Sequence, residues 1–139
     1  MIPGPRIVVT GVGVISPNGI GLPAFREALQ AGRSGIRRQE QLRKLNFAAQ
    51  IGGIPDLDEE DVLKVIPESE LHKLSEAMVY AVMASVECAR SAGIPIDPKS
   101  NFQDGAADWN CGAIIGCGIG GMDTIFESMV PVLSEAYAA

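Results

Sequence analysis

Two apolar segments, each interrupted by closely spaced glycines, most constrain how this chain can fold. The first is RIVVTGVGVISPNGIG, residues 6–21, and the second is GAIIGCGIGG, residues 112–121. An unbroken β-branched run is typical of a strand that is covered on both faces, as in parallel sheets. Glycines inside such a run indicate a bulge or the close approach of another backbone. Both segments therefore predict a strand that leads through a glycine-rich turn towards a helix.

The first half of the chain predicts short elements around these glycines. Ser16-Pro17-Asn18-Gly19 is predicted to be a turn, because proline cannot donate to a ladder and Asn-Gly tolerates positive φ. Helices are predicted at residues 23–31 and 58–65, with residues 33–45 as a loop and 47–54 as a weaker strand.

The second half contains the strongest helical pattern, at residues 71–92, where apolar and small residues recur every three or four positions. We expect this helix to be largely buried and to end at Gly93. A third strand is predicted at residues 109–116 and a last helix at 122–136, which Pro131 must bend or split. The order β-α-β-α-α-β-α predicts an α/β fold with a parallel or mixed sheet.

Composition limits the possible functions. The chain has 139 residues, 47% of them hydrophobic, and a net charge of −6, which fits one globular domain over residues 1–139 and disfavours a nucleic-acid partner. Five basic residues lie close together, as a solvated face or a docking patch for an acidic partner: Arg33, Arg37, Arg38, Arg43 and Lys44. The N-terminus has no long apolar stretch and no run reaches membrane length, so we expect a cytoplasmic protein without membrane contact.

Thiol and imidazole chemistry is sparse. Cys88, Cys111 and Cys117 are odd in number and form no CxxC, which predicts neither a disulfide framework nor a zinc site. Cys117 could be a nucleophile at a helix N-terminus, but a nucleophile also needs a base. The single histidine, His72, lies in a charged helical stretch and is interpreted as a surface residue. Packing is the favoured role for all three cysteines, and we expect no cofactor and no metal ion.

The sequence Gly116-x-Gly118-x-x-Gly121 leaves three interpretations open. It could cradle the phosphates of a dinucleotide, because it follows a strand and opens a helix. It could be a tight turn packed against other backbone. It could also shape an apolar tunnel into which Ile119 points. The first glycine segment fails as a dinucleotide fingerprint, because Ser16 occupies its last position and Pro17 follows.

The first 36 residues resemble the opening of the β-ketoacyl-acyl-carrier-protein synthases, condensing enzymes of the thiolase-like superfamily. Their strand R-[RV]-V-[VI]-T-G-x-G-x-[VI]-[ST]-P-x-G is followed by G-x-x-x-F-W-x-x-L-x-x-G-x-S-G-I, and Arg26 departs from the usual tryptophan. GAIIGCGIGG resembles the family's G-x-x-x-G-[ST]-G-[IG]-G-G turn, with Cys117 in place of serine or threonine. The matching residues of the first block are Arg6, Val8, Val9, Thr10, Gly11, Gly13, Ser16, Pro17, Gly19, Gly21, Phe25, Leu29, Gly32, Ser34, Gly35 and Ile36.

The resemblance implies the N-terminal half of a thiolase-like fold, incomplete here, with a mixed sheet and a buried helix. It implies decarboxylative Claisen condensation of an acyl thioester with malonyl acyl carrier protein, by a homodimer in fatty-acid or polyketide synthesis. No cysteine here matches the family's nucleophile, and His72 matches neither of its two histidines, so we expect no condensing activity from this segment alone. Ile119 matches a position that lines the acyl pocket. A non-condensing, chain-length-factor-like homologue and a nucleotide-binding α/β domain remain as alternatives.

Overall fold

The computed structural model describes residues 4, 6–96 and 111–137, with side chains as far as residue 131. The elements in these ranges comprise four two-residue strands and six helices. They are β1 (Ile15–Ser16), β2 (Gly19–Ile20), α1 (Leu22–Gln30), β3 (Arg37–Arg38), α2 (Glu40–Lys44), β4 (Ile51–Gly52), α3 (Glu59–Leu63), α4 (Glu68–Leu71), α5 (Glu76–Ser91) and α6 (Met122–Tyr137).

The turn predicted at residues 16–19 is confirmed as the tip of an antiparallel hairpin. Strand β1 pairs with β2, with Ile15 opposite Ile20 and Ser16 opposite Gly19. The Ser16 hydroxyl donates to the Asn18 side-chain oxygen at 2.6 Å, a local bond that favours the turn. Helix α1 follows at once, close to the range predicted for it.

The long first strand is not present in the described residues, and this prediction is wrong. Only Ile15–Ser16 of the apolar run is in a strand, and Ile7 is 95% exposed. Residues 11–14 lie against helix α5 instead of against another strand, so their backbone groups meet a helix surface. The described part of the chain therefore has two separate two-stranded antiparallel sheets, β1–β2 and β3–β4, where one parallel or mixed sheet was predicted.

The loop predicted at residues 33–45 is also wrong, because strand β3 and helix α2 lie within it. Strand β3 pairs with β4, and β4 lies within the weak strand that was predicted at residues 47–54. Helix α2 has Glu40 in its first turn and Arg43 and Lys44 in its last, which suits the helix dipole, and Arg43 pairs with Glu40 one turn away. The short charged sequence therefore forms a helix without burying any residue.

The helix predicted at residues 71–92 begins five residues later than expected, because α4 ends at Leu71 and α5 begins at Glu76. Ser75 has an extended backbone, is 4% exposed, and its hydroxyl accepts from the amide of Met78 at 3.4 Å. Because this hydroxyl satisfies one of the amides that a new helix leaves unpaired, α5 begins at Glu76. The predicted C-terminal end is confirmed, since Gly93 has a φ of 72° just after the helix.

The core is small and lies between α5 and the segment around α3. The buried residues Val62, Val65, Ile66 and Val86 form one cluster. Of the residues in α5, Val86 alone is buried, and Met78 is 53% exposed, so the prediction of a largely buried helix is wrong for the described structure. The helix predicted at 58–65 is confirmed in α3, where the Asp58 carboxylate accepts from the Glu60 amide at 2.9 Å.

The C-terminal part contains the last predicted helix but not the strand before it. Residues 109 and 110 of the predicted strand lie outside the described residues, and residues 111–116 have no strand pairing. Helix α6 confirms the helix predicted at 122–136 and includes Pro131. The described residues thus combine helices with small sheets, which is consistent with a partial domain.

Candidate functional site: two glycine segments on one helix

The first glycine segment touches helix α5 with its backbone. A Cβ atom added at Gly13 would lie 1.9 Å from the carbonyl oxygen of Ala84, and one added at Gly11 would lie 2.3 Å from that of Cys88. Both distances are far below any real carbon–oxygen contact. The glycines are therefore required because a helix backbone occupies the space that a side chain would need.

Ser91 fixes this contact with hydrogen bonds. Its hydroxyl oxygen accepts from the amide of Val12 at 2.9 Å. The same hydroxyl lies 3.1 Å from the Val12 carbonyl and 2.9 Å from the Cys88 carbonyl, to either of which it can donate. A single side chain near the end of α5 thus satisfies backbone groups of a segment that has no strand partner.

Glu87, one turn earlier on α5, holds the two ends of the hairpin. One carboxylate oxygen accepts from the Val14 amide at 2.7 Å, and the other accepts from the Leu22 amide at 2.7 Å. Bonds from amides to an ionised acceptor are short and strong. The sequence analysis missed this residue, although an acid on the last turns of an otherwise apolar helix is a signal that could have found it.

A groove of about 240 Å³ lies beside this contact. Apolar side chains, among them Ile20, Val65 and Met83, line it, and Glu87 and Arg90 contribute to its edge. Ligand pockets for drug-sized molecules are larger, from about 300 to 1,000 Å³. Ile119 is not among the residues that line this groove, so the groove is not the apolar tunnel that was one of the three interpretations of the glycine turn.

The second glycine segment is exposed. Among the described residues, and apart from the chain neighbours, no atom lies within 4 Å of where a Cβ would stand at Gly116 or Gly118, and Ile119 is 80% exposed. The structure therefore does not bring Ile119 to the first segment, and its role in an acyl pocket stays a prediction. The interpretation that these glycines pack against other backbone is not seen among the described residues.

Asp123 connects the second segment to helix α5. Its carboxylate Oδ2 accepts from the amide of Glu76, the first residue of α5, at 2.9 Å. This amide, and after it the amide of Thr124, holds the pKa of the Asp123 carboxyl below its usual value. Asp123 also lies in the first turn of α6, so its negative charge meets the positive ends of two helices. The sequence analysis did not single it out.

The carboxylate at this position weakens the dinucleotide interpretation. A phosphate bound at the start of α6 would approach the first-turn amides, where Asp123 already carries a negative charge. The segment is a glycine-rich turn that ends at Gly121, where φ is 73°, and that leads directly into helix α6.

The cysteines and the histidine do not assemble a reactive centre in the described residues. Cys117 and Cys111 are exposed, whereas Cys88 is half-buried on α5. His72 is exposed at the end of α4, as predicted. Within residues 6–96 and 111–131, no three His, Cys, Asp or Glu side chains lie close enough to hold a metal ion. None of the helices in the described ranges has the length and apolarity to cross a bilayer.

Comparison with known proteins places almost the whole chain in one family. Residues 5–137 match the model of the β-ketoacyl synthase N-terminal domain. A protein named as polyketide β-ketoacyl synthase 1 from Streptomyces halstedii is 28% identical over 91% of the chain. The 3-oxoacyl-[acyl-carrier-protein] synthase 2 of Vibrio harveyi is 29% identical over 86%, and the chloroplastic synthase I of Arabidopsis thaliana is 28% identical over 96%. The matched region spans 27% to 28% of the length of these relatives.

Proposed function

The chain belongs to the β-ketoacyl synthase family through its N-terminal domain, and on that premise we propose that it is the N-terminal part of a condensing enzyme. The reaction is decarboxylative Claisen condensation: malonyl carried on acyl carrier protein loses carbon dioxide, and the resulting carbanion attacks an acyl thioester. The product is a β-ketoacyl thioester for fatty-acid or polyketide synthesis.

The observation that carries this proposal is the extent of the family match, which covers residues 5–137. It includes both glycine segments and the helix α5 to which they are joined. The relatives' names refer to 3-oxoacyl-[acyl-carrier-protein] and polyketide synthases, which supports an acyl carrier protein as partner. The family match also favours condensation over the nucleotide-binding alternative.

The catalytic groups of the reaction are not in this segment. The resemblance assigns thioester formation to a cysteine and charge stabilisation to two histidines, and neither Cys88, Cys111, Cys117 nor His72 matches those positions. The segment instead contributes scaffold and substrate contacts. In the proposed enzyme Ile119 lines the acyl pocket, and its bulk limits the acyl groups that fit.

The proposal has structural consequences for the complete domain. Val9 and Ile115, each within an apolar run, are 85% and 68% exposed in this segment. Because such runs are typical of strands covered on both faces, we propose that they join a mixed sheet of a thiolase-like fold, in a homodimeric cytoplasmic enzyme. Helix α5 is buried only in that assembly.

The gene offers the first test. We expect the reading frame to continue beyond the codon for Ala139 to a cysteine at a strand-to-helix turn and then to two histidines. The encoded protein, given acyl and malonyl thioesters of acyl carrier protein, is expected to release carbon dioxide and form the β-ketoacyl product. A frame that continues without the cysteine would instead support a non-condensing homologue.

A second test uses the chain itself. Incubation of the 139-residue chain with an acyl thioester, followed by mass spectrometry, is expected to show no selective acylation of Cys117 relative to Cys111. Both thiols are exposed, so each is a control for the other, and Cys117→Ser gives the background. Selective acylation that this substitution abolishes would assign a nucleophile to this segment and overturn the proposal that it has none.

A further inference from the structure

Two residues at the end of the second glycine segment and the start of α6 are less exposed than their neighbours. Gly121 and Asp123 are half-buried, whereas every other residue of 111–131 is exposed. The segment therefore approaches the rest of the molecule at the start of α6. The hydrogen bond from the Glu76 amide to the Asp123 carboxylate lies at this place.

The bond uses a donor that helix α5 cannot satisfy by itself. The first amides of a helix have no partner within the helix. The Ser75 hydroxyl takes the amide of Met78, and the Glu76 amide is then the one that Asp123 takes, from a position 47 residues further along the chain. A neighbouring hydroxyl and a distant carboxylate therefore each accept from one of the amides that the start of α5 leaves unpaired.

We propose that Asp123 is a positioning residue, whose carboxylate holds the turn at residues 116–121 against the N-terminus of α5. Asp123 follows Ile119 by four residues and Gly121 by two. The chain bends at Gly121, where φ is 73°, and α6 begins with the bond from the Ile125 amide to the Gly121 carbonyl at 2.9 Å. Fixing Asp123 therefore fixes the end of the turn that carries Ile119.

This inference rests on the proposed function only for its consequence for substrates. If Ile119 lines an acyl pocket, the Asp123 contact sets how far that side chain enters it. Loss of the contact would then change which acyl lengths are accepted. The contact itself is a property of this chain and is measured without any enzymatic activity.

The experiment compares three variants of the 139-residue chain by amide hydrogen exchange and NMR. Asp123→Ala removes the acceptor, Asp123→Asn keeps a carbonyl oxygen at the same place, and Glu127→Ala removes an exposed carboxylate from the same helix as the matched control. We expect Asp123→Ala to speed exchange of the Glu76 amide about tenfold or more and to shift the amide signals of Gly118 to Gly121.

The other two variants decide between positioning and a merely structural effect. Asp123→Asn is expected to restore slow exchange at Glu76 and the wild-type signals of the turn, and Glu127→Ala to leave both unchanged. Unchanged Glu76 exchange in Asp123→Ala would overturn the contact. Faster exchange with unmoved turn signals would make Asp123 a helix cap alone and would overturn the positioning role.

The consequence for substrates is tested on the protein encoded by the complete gene. With mixed acyl thioesters of several lengths, Asp123→Ala is expected to change the length profile of the products in the same direction as Ile119→Gly, and Asp123→Asn to restore it. An unchanged profile in an active enzyme would overturn the substrate consequence. A wild-type protein without condensing activity would contradict the proposed function, while the exchange experiment would still decide the contact.

Discussion

The two glycine segments have similar sequences and opposite surroundings. In the first, the space next to Gly13 is filled by a helix backbone, and the hairpin is bound to α5 by the side chains of Glu87 and Ser91. In the second, no described atom beyond the chain neighbours lies within 4 Å of the Cβ position at Gly118, and the carboxylate of Asp123 bonds to α5. The sequence of a glycine-rich turn therefore does not by itself predict whether its glycines are needed for close packing.

The difference also shows how α5 organises the segment. It offers side chains to the first glycine segment from its C-terminal half and a backbone amide to the second from its first residue. Side chains that accept two backbone bonds, as Glu87 does, resist displacement more than a single exposed bond. We expect the first segment to be the more stable of the two.

The largest expected effect distinguishes the glycines themselves. Gly13→Ala places a Cβ against the Ala84 carbonyl, which belongs to a helix and cannot yield as a side chain could. Overpacking of this kind costs about 1–3 kcal/mol or more, and we expect the free energy of unfolding in urea to fall by at least that amount. Gly118→Ala, with open space around it, is the control and is expected to stay within about 0.5 kcal/mol. Equal losses would remove the distinction between the segments.

The next effect tests the carboxylate that holds the hairpin. Glu87→Ala leaves the amides of Val14 and Leu22 without their acceptor, and bonds to charged groups contribute about 1.5–3 kcal/mol each. We expect faster hydrogen exchange at both amides and a lower free energy of unfolding. Glu27→Ala is the control, because its ion pair with Arg33 is exposed and such pairs contribute about 1 kcal/mol or less. Unchanged exchange at Val14 would contradict the role of Glu87.

A smaller effect is expected on acidification. The amide of Glu76 lowers the pKa of Asp123 in the folded chain, so the ionised carboxylate favours folding. This contribution is complete above the unfolded-state pKa of about 3.9 and is lost as the pH falls through the lower folded pKa. The difference in free energy of unfolding between the wild type and Asp123→Asn is expected to shrink over that range. A difference that does not vary with pH would be inconsistent with an ionised contact.

The smallest effect on stability is expected at Ile119. Its side chain is 80% exposed, so Ile119→Gly is expected to change the free energy of unfolding by no more than about 0.5 kcal/mol. In the proposed condensing enzyme the same change is expected to alter the acyl-length profile, because it removes a branched side chain from the proposed pocket. A large loss of stability in the isolated chain would place Ile119 in the packing of this segment instead.

Several local features could be predicted because they depend on neighbouring residues. The hairpin turn at Pro17 and Asn18, the helix with an acidic start near Asp58 and the C-terminal stop at Gly93 follow from proline geometry, the helix dipole and positive φ. The break at Ser75 was missed, because the apolar spacing continued through a residue that caps a new helix.

The candidate site depended on contacts that the sequence does not display. Ile119 was predicted from the resemblance, but Glu87 and Asp123 were not, because each acts on a backbone amide that is 47 or more residues away. In the sequence alone, the charge of these residues and their position on a helix indicate only that they lie on a polar surface. Only the folded chain shows which amides lack another partner.

By itself, the sequence determined the family, the turn at residues 16–19 and the C-terminal end of α5. Those features depend on residue identity and short spacing, which a linear chain preserves. The tertiary structure decided that Gly11 and Gly13 meet a helix, that Gly116 and Gly118 meet no such backbone in the described ranges, and that Asp123 joins α6 to α5. The physical reason is that steric contacts and hydrogen bonds to backbone amides depend on which distant part of the chain packs against each segment. Two segments with similar glycine spacing can therefore have different neighbours.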